Sequence, residues 1–201
     1  MLTLYDSRLS GNGWKVRLLL SFLRKPYQRR VLNLAEGATR TPEFLELNPL
    51  ARVPVLVLDD GSPIIESDAI LVHLARGTPW LPDDALAATR VLQWLFFEQY
   101  DHLKYLARPR FVVSIARTAD QFADELAYLR PFGRKALQAL NDQLQRTPFL
   151  TGDSCTIADI ALYPYTSMAE MGGYDLGALP AVQRWLQRFS DQPDFVPLIP
   201  Q

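Results

Sequence analysis

The stretch Leu2-Thr3-Leu4-Tyr5-Asp6-Ser7-Arg8-Leu9-Ser10-Gly11-Asn12-Gly13-Trp14-Lys15 decides how the first half of the chain folds. Leu2 to Tyr5 is a short β-like run, and Asp6 to Gly13 is a polar, glycine-containing loop. From about Asn12 a helix begins. Val16, Leu19, Leu20 and Leu23 recur at i, i+3, i+4 and i+7, the spacing of a core-facing stripe, and Pro26 marks its end. Gln28 to Leu34 reads as a second strand, and a helix between two strands predicts a parallel βαβ unit. Further along, Thr41 and Pro42 suit the N-cap and first position of a short helix. Val55 to Leu58 is a third strand, Asp60-Gly61 a hairpin turn, and Ile64-Ile65 a fourth strand. Ser67 is expected to cap a helix running to about Arg76, stopped by Gly77. The order is βαβαββα.

The second half has a different pattern. Gly77-Thr78-Pro79-Trp80-Leu81-Pro82-Asp83-Asp84 carries two prolines and a glycine and reads as a linker. Beyond it, amphipathic helices are expected at about 86–110, 119–146, 156–171 and 179–191, joined by short connections into a bundle. The chain therefore divides into an α/β domain over 1–78, a linker over 79–85 and an all-α helical domain over 86–201. Pro193, Pro197 and Pro200 predict an extended tail.

Composition excludes several classes of function. The 201 residues hold 21 Lys plus Arg against 22 Asp plus Glu, a net charge of −1. No broad basic footprint for nucleic acid or an anionic membrane follows from that balance. A single cysteine gives neither a disulfide framework nor a CxxC motif. His73 and His102 lie far apart, so no metal site is expected. No apolar run approaches the roughly 20 residues of a membrane span, and the N-terminus lacks a signal peptide's basic start and apolar core. A cytoplasmic protein is the expectation.

Four short motifs could carry chemistry. Ser10-Gly11-Asn12-Gly13 joins a strand to a helix, where free backbone N–H groups and the positive end of the helix dipole suit an anion. Ser10 and Asn12 add side-chain donors. Plain N-capping accounts for the same residue types, and the residues alone do not separate the two readings. Arg52-Val53-Pro54-Val55 places proline just before a buried strand. A cis Val53–Pro54 bond would turn the Val53 backbone outward for a ligand, although only about 5–6 % of X-Pro bonds are cis. In Glu66-Ser67-Asp68, Ser67 at a helix start suits a second anion and Glu66 an ammonium group. A cap flanked by acidic first-turn residues is the other reading, and Asp68 is taken that way. Thr156-Ile157-Ala158-Asp159 has capping-box spacing, with Cys155 and Ile160 as a hydrophobic staple. It is read as structural.

These four motifs, in this order and followed by a linker and a helical domain, resemble a glutathione S-transferase. The resemblance covers essentially the whole chain. It implies a thioredoxin-like N-terminal domain and an all-helical C-terminal domain, and it favours the cis form of Pro54. It implies glutathione as co-substrate and no metal. Under it, the Val53 backbone and Pro54 hold the cysteinyl part. Glu66 and Ser67 hold the γ-glutamyl amine and carboxylate, and Arg52 contacts a carboxylate. Ser10 lies nearest the thiol, with Asn12 as a second donor. The Ser10 motif is most similar to the Nu class, and its Trp14-Lys15-Val16-Arg17 continuation is similar to the zeta class. It departs from the tyrosine classes, since Tyr5 lies on the first strand. It lacks the catalytic cysteine of omega-like and beta-like members, because Cys155 lies in the other domain and is expected to be buried and inert.

By the same resemblance, a pocket for a small hydrophobic electrophile or disulfide should lie between the domains. Trp14, Tyr100, Lys104, Arg108 and Tyr165 are candidates to line it, whereas Trp94, Phe97 and Tyr105 suit core or dimer contacts. A homodimer is implied. The activity implied is conjugation or reduction of small electrophiles through a thiolate stabilised by Ser10. The alternatives are a glutathione-dependent disulfide or peroxide reductase, glutathione-assisted isomerisation (disfavoured by Gly11 in place of a second serine), and a non-catalytic binding module.

Overall fold

β1 (Leu2–Asp6) alternates, with Leu4 and Asp6 buried, the period of a strand packed on one face. In the computed structural model, which describes residues 1–199, it sits inside a four-stranded sheet of order β2-β1-β3-β4. β2 (Tyr27–Val31) runs parallel to β1, and β3 (Val55–Val57) runs antiparallel to it. β4 (Pro63–Ile65) pairs antiparallel with β3. The parallel βαβ unit and the hairpin thus form as expected, and with the helices they make a thioredoxin-like domain.

The register fixes where the loops come together. Tyr5 is opposite Val55, and Val55 is opposite Ile65. The chain therefore leaves β1 after Asp6, enters β3 at Val55 and leaves β4 after Ile65 at one end of the sheet. All three N-terminal motifs lie on that edge.

α1 (Gly11–Phe22) buries Val16, Leu18, Leu19 and Leu20 completely. It stops before Pro26 because Lys25 N–H returns to the Leu20 carbonyl and Arg24 N–H to that of Ser21, with Arg24 at φ 49, a left-handed helix stop. β2 ends at Val31, short of the expected Leu34, because Asn33 accepts Ala35 N–H at 3.2 Å and opens a 3₁₀ turn over Leu34–Glu36. α2 (Pro42–Leu47) has Thr41 as its cap, accepting Phe44 N–H. α3 (Ser67–Ala75) differs from expectation at its start. Glu66 is the N-cap, makes no side-chain capping bond and adopts φ 67, so Ser67 is the first helical residue and not the cap.

The chain divides into two units. The first is Met1–Arg76 with the tail from Pro193 onward, and the second begins at Gly77 and ends at Gln192. This differs from the division read from sequence at both ends. The 79–85 segment goes with the helices, Trp80 C=O accepting Ile157 N–H at 2.9 Å, and residues 193–199 go with the α/β unit. Pro200 lies outside the described residues.

The helical unit contains α4 (Ala85–Phe97), α5 (Leu103–Arg110), α6 (Ala123–Leu144), α7 (Ile157–Ser167) and α8 (Pro180–Ser190). The single helix expected over 86–110 is interrupted by a π turn at Glu98–His102, and a second π turn follows at Phe111–Ile115. Pro109 has no N–H for the Tyr105 carbonyl four residues back, and the Tyr174 hydroxyl donates to that carbonyl instead. Asp84 caps α4, accepting Ala87 N–H. Thr156 and Asp159 form the expected capping box at α7. No described helix is long and apolar enough to cross a membrane.

Candidate active site

Ser10 is the N-cap of α1. Its Oγ accepts Gly13 N–H at 3.0 Å, and its carbonyl accepts Trp14 N–H at 3.0 Å. A hydroxyl that accepts one hydrogen bond still has its own proton to donate, so capping and thiolate binding are compatible at Ser10. The N–H groups of Gly11 and Asn12 precede the first intrahelical bonds and are donors without a helical acceptor. Asn12 Oδ1 is buried and has no hydrogen-bond partner among the described residues. Burying an amide oxygen unpaired costs about 1–3 kcal/mol. The junction therefore concentrates N–H donors and a hydroxyl proton at a positive helix end, with the unpaired Asn12 oxygen as an acceptor in the same turn.

The Val53–Pro54 peptide is cis. The β-ladder starts at Val55, so the Val53 backbone lies outside the paired strands. Asn48, 2 % exposed, shapes this approach: its Nδ2 donates to the Arg52 carbonyl at 2.8 Å and its Oδ1 accepts Leu50 N–H at 3.0 Å. Pro54 is buried, and the Arg52 side chain is exposed.

At the third motif the Glu66 side chain is exposed and the Ser67 hydroxyl is buried. Lys15, fully buried on α1, donates through Nζ to Ser67 Oγ at 3.3 Å and to Asp68 Oδ1 at 3.1 Å. Asp68 is thus the counter-ion of a buried lysine and not simply an acidic first-turn residue. Sequence reasoning missed Lys15, Asn48 and the buried Asp6: Lys15 meets Ser67 and Asp68 across 52 and 53 positions and Asp6 meets Arg29 across 23, separations that leave no spacing signal. The one local hint was a lysine at position 15 among residues that all face the core.

The helical residues named from sequence have the following places. Tyr100 is in the first π turn and 81 % exposed. Lys104 is exposed, with Nζ 5.6 Å from the centroid of the Tyr105 ring. Arg108 is one turn further along α5. It holds Glu125 by two hydrogen bonds of 2.9 and 2.8 Å and lies over the Phe122 and Phe111 rings. Tyr165 is buried on α7 and acts electrostatically on buried Arg110. Trp14, in the α/β unit, is 5 % exposed and its indole N–H is taken by the Val196 carbonyl at 2.7 Å, so it faces the tail. Cys155 is half-buried, accepts from Gln192 Nε2 at 3.3 Å, and burial pushes its thiol well above the ordinary range.

Comparison with known proteins places this geometry. Residues 9–76 match the glutathione S-transferase N-terminal domain, and residues 99–193 match the C-terminal domain. The chain belongs to the glutathione S-transferase family. The crystal structure of a glutathione S-transferase from Pseudomonas fluorescens superposes with a TM-score of 0.96 at 42 % identity, covering 98 % of each chain. The disulfide-bond oxidoreductase YfcG of Escherichia coli is 30 % identical over 90 % of this chain and 87 % of its own. Ure2p in complex with glutathione gives a TM-score of 0.88 at 28 % identity, over 96 % of this chain and 95 % of that one. The loops carrying Ser10, Val53 and Ser67 all lie in the matched N-terminal domain, at one end of its sheet.

Proposed function

We propose that the protein is a glutathione transferase that conjugates small electrophiles through a thiolate stabilised by Ser10. The observation that carries this reading is the meeting of the Ser10 junction, the Val53–Pro54 turn and the Glu66–Ser67 turn at one end of the sheet, fixed by the pairing of Tyr5, Val55 and Ile65. Three loops at one end of the sheet suit a ligand with three parts, such as a tripeptide. Val53 offers main-chain groups to its centre, and Ser67 and Glu66 offer a hydroxyl and a carboxylate to an α-amino acid end. Arg52 offers a cation to a carboxylate.

The energetics suit the role given to Ser10. A thiol with pKa near 8.5 is mostly protonated at neutral pH, and the thiolate is the reactive form. Lowering the pKa by about two units needs about 2.7 kcal/mol of preference for the anion. A hydrogen bond to a charged group gives roughly 1.5–3 kcal/mol, and a helix N-terminus adds about 0.3–1 kcal/mol. Ser10 and the start of α1 suffice without a general base. Ser10 donates to sulfur and does not attack the substrate. Asn12 donates from its amide to the sulfur or to the peptide backbone. The protein's own thiol, Cys155, lies in the helical unit with its ionisation suppressed, so the nucleophile comes from glutathione.

The test is turnover of an aryl halide with glutathione by the Ser10→Ala variant. kcat/KM at pH 6.5 should fall about 10- to 100-fold, the kinetic equivalent of one charged hydrogen bond. Unchanged kcat/KM would remove Ser10 from the mechanism, and no glutathione affinity by calorimetry would turn the reading toward a binding module.

The likeness to a disulfide-bond oxidoreductase favours a second reading, glutathione-dependent disulfide reduction. Two glutathione molecules would reduce one small disulfide, yielding two thiols and oxidised glutathione. Ser10 would stabilise the attacking thiolate in the same way. Rates with hydroxyethyl disulfide against those with an aryl halide separate the two.

A further inference from the structure

The loop that carries Ser10 closes on a single buried carboxylate. Asp6, at the end of β1, accepts Ser7 N–H through Oδ1 at 2.7 Å. The Ser7 carbonyl accepts Ser10 N–H at 3.1 Å, and Ser10 Oγ accepts Gly13 N–H at 3.0 Å. Gly13 completes the ring, because it packs so closely on Asp6 Oδ1 that a Cβ there would overlap it. The place of the Ser10 hydroxyl is therefore set by the place of the Asp6 carboxylate.

Two guanidinium groups hold that carboxylate. Arg29 donates to Asp6 Oδ2 from Nη2 at 2.7 Å and Nε at 3.1 Å, and Arg17 Nε lies 3.1 Å from the same oxygen. Arg29 reaches solvent, whereas Arg17 is 2 % exposed. A buried guanidinium needs acceptors on every edge. Arg17 Nε faces Asp6 as an ion pair without hydrogen-bond geometry, and its outer edge finds acceptors on the C-terminal tail: Nη1 donates to the Pro197 carbonyl at 3.1 Å and Nη2 to that of Leu198 at 2.6 Å.

α1 and the turn that ends it hold the tail at three other points. Trp14 donates to the Val196 carbonyl and meets the Phe195 ring edge-on at 6.2 Å. Ser21 Oγ donates to the Asp194 carbonyl at 2.7 Å, and Arg24 pairs with the Asp194 carboxylate at 2.9 Å. These three would tie the tail down by themselves. Among the described residues, Arg17 is the one that joins it to the carboxylate under the Ser10 loop.

We propose that Arg17 is a positioning residue for the thiolate site, acting through Asp6, and that the tail around Pro197 and Leu198 completes that site by holding Arg17 in place. The proposal rests on the reading of Ser10 as the thiolate donor. Without the tail carbonyls, the outer edge of Arg17 has no protein acceptor and the guanidinium turns toward water. Asp6 is then left to Arg29, and the ring Asp6–Ser7–Ser10–Gly13 loosens. Glutathione still binds through Val53 and Ser67, but its sulfur meets a less well placed donor.

Two variants test this: Arg17→Lys, which keeps a charge beside Asp6 but cannot also span two tail carbonyls, and the chain ended after Gln192, which keeps Arg17. Ultraviolet absorbance of the glutathione complex against pH reads the bound thiol pKa. In both variants it should rise by about one unit, which is about tenfold less thiolate at pH 6. kcat should fall about tenfold at pH 6 and recover by pH 9, with the KM for glutathione changed less than about threefold. The Ser10 and Gly13 amides should exchange hydrogen faster. A merely structural role would lower the melting temperature and leave the thiol pKa where it was. Should Arg17→Lys not fold, the truncated chain carries the test. An unchanged thiol pKa with unchanged exchange in a folded variant overturns the proposal. If the wild-type complex has an ordinary thiol pKa, the Ser10 reading fails instead, and amide exchange still decides whether Arg17 positions the loop.

Discussion

In the proposed mechanism Ser10 has two duties that one substitution normally removes together. As the α1 cap it accepts Gly13 N–H, and as the proposed thiolate ligand it would donate its proton. Ser10→Ala loses both, and cap loss to alanine costs about 0.5–2 kcal/mol. Ser10→Gly loses the hydroxyl but costs the cap only a few tenths of a kcal/mol. Urea unfolding should therefore rank wild type just above Ser10→Gly, with Ser10→Ala about 1 kcal/mol lower, while both variants lose kcat/KM to the same extent. Equal activities for Ser10→Gly and wild type would reduce Ser10 to a cap. The sequence makes Ser10 legible because capping chemistry is local, but it hides what holds Ser10 in place. Asp6, Arg17 and the Pro197 and Leu198 carbonyls come together from chain positions as much as 192 residues apart. No local pattern marks Asp6 or Arg17 as buried; the fold alone brings them together.

At the scale of elements, α1 and α3 are joined by Lys15 and Asp68. A buried pair is costly to desolvate, but removing one partner strands the other and costs about 3–5 kcal/mol. Lys15→Met should destabilise the fold by about that amount, and adding Asp68→Leu should recover a large part of it. A double-mutant cycle in urea measures the coupling; additive losses would show that the pair does not act as one. Lys15→Met should also raise the KM for glutathione more than it lowers kcat, since Ser67 Oγ loses its fixed donor. Elements with a strong local code were readable: the stripe of α1, the Thr41 and Pro42 start of α2, and the Thr156 box. Others depend on tertiary partners. The Glu66 cap, at positive φ and with no side-chain bond, has no sequence signature, so capping chemistry points to Ser67 instead. The π turns flanking α5 were equally hidden, since the Tyr105 carbonyl freed by Pro109 finds its donor in Tyr174, 69 residues away.

Across the molecule, the response to pH follows from where carboxylates are buried. Asp159 accepts Leu150 N–H, Trp185 Nε1–H and Thr156 N–H at 2.9–3.0 Å, yet full burial outweighs these donors and raises its pKa to about 6. Burial also raises Asp6, against the pull of Arg29 and Arg17. A carboxyl whose folded pKa exceeds its unfolded value of 3.8 binds protons on folding. Its contribution to stability is greatest below the unfolded pKa and falls as pH rises through the folded one. Glu125, lowered by Arg108, works in the opposite sense, with support that is present above its ordinary pKa and lost on acidification. It is solvent-exposed, so screening keeps that effect small. Asp159→Asn isolates the larger effect. The amide keeps an oxygen for Leu150 and Trp185 but turns a donor toward Thr156 N–H, a loss that does not depend on pH. Between pH 4 and pH 7, the unfolding free energy of wild type minus that of Asp159→Asn should therefore fall, most steeply at about pH 5, midway between the unfolded 3.8 and the folded value of about 6, and level off above that, by urea titration at each pH. A difference that is flat, or that rises with pH, would mean that the three donors hold Asp159 ionised well below 6. The capping box would then support α7 fully at every pH at which the protein is folded.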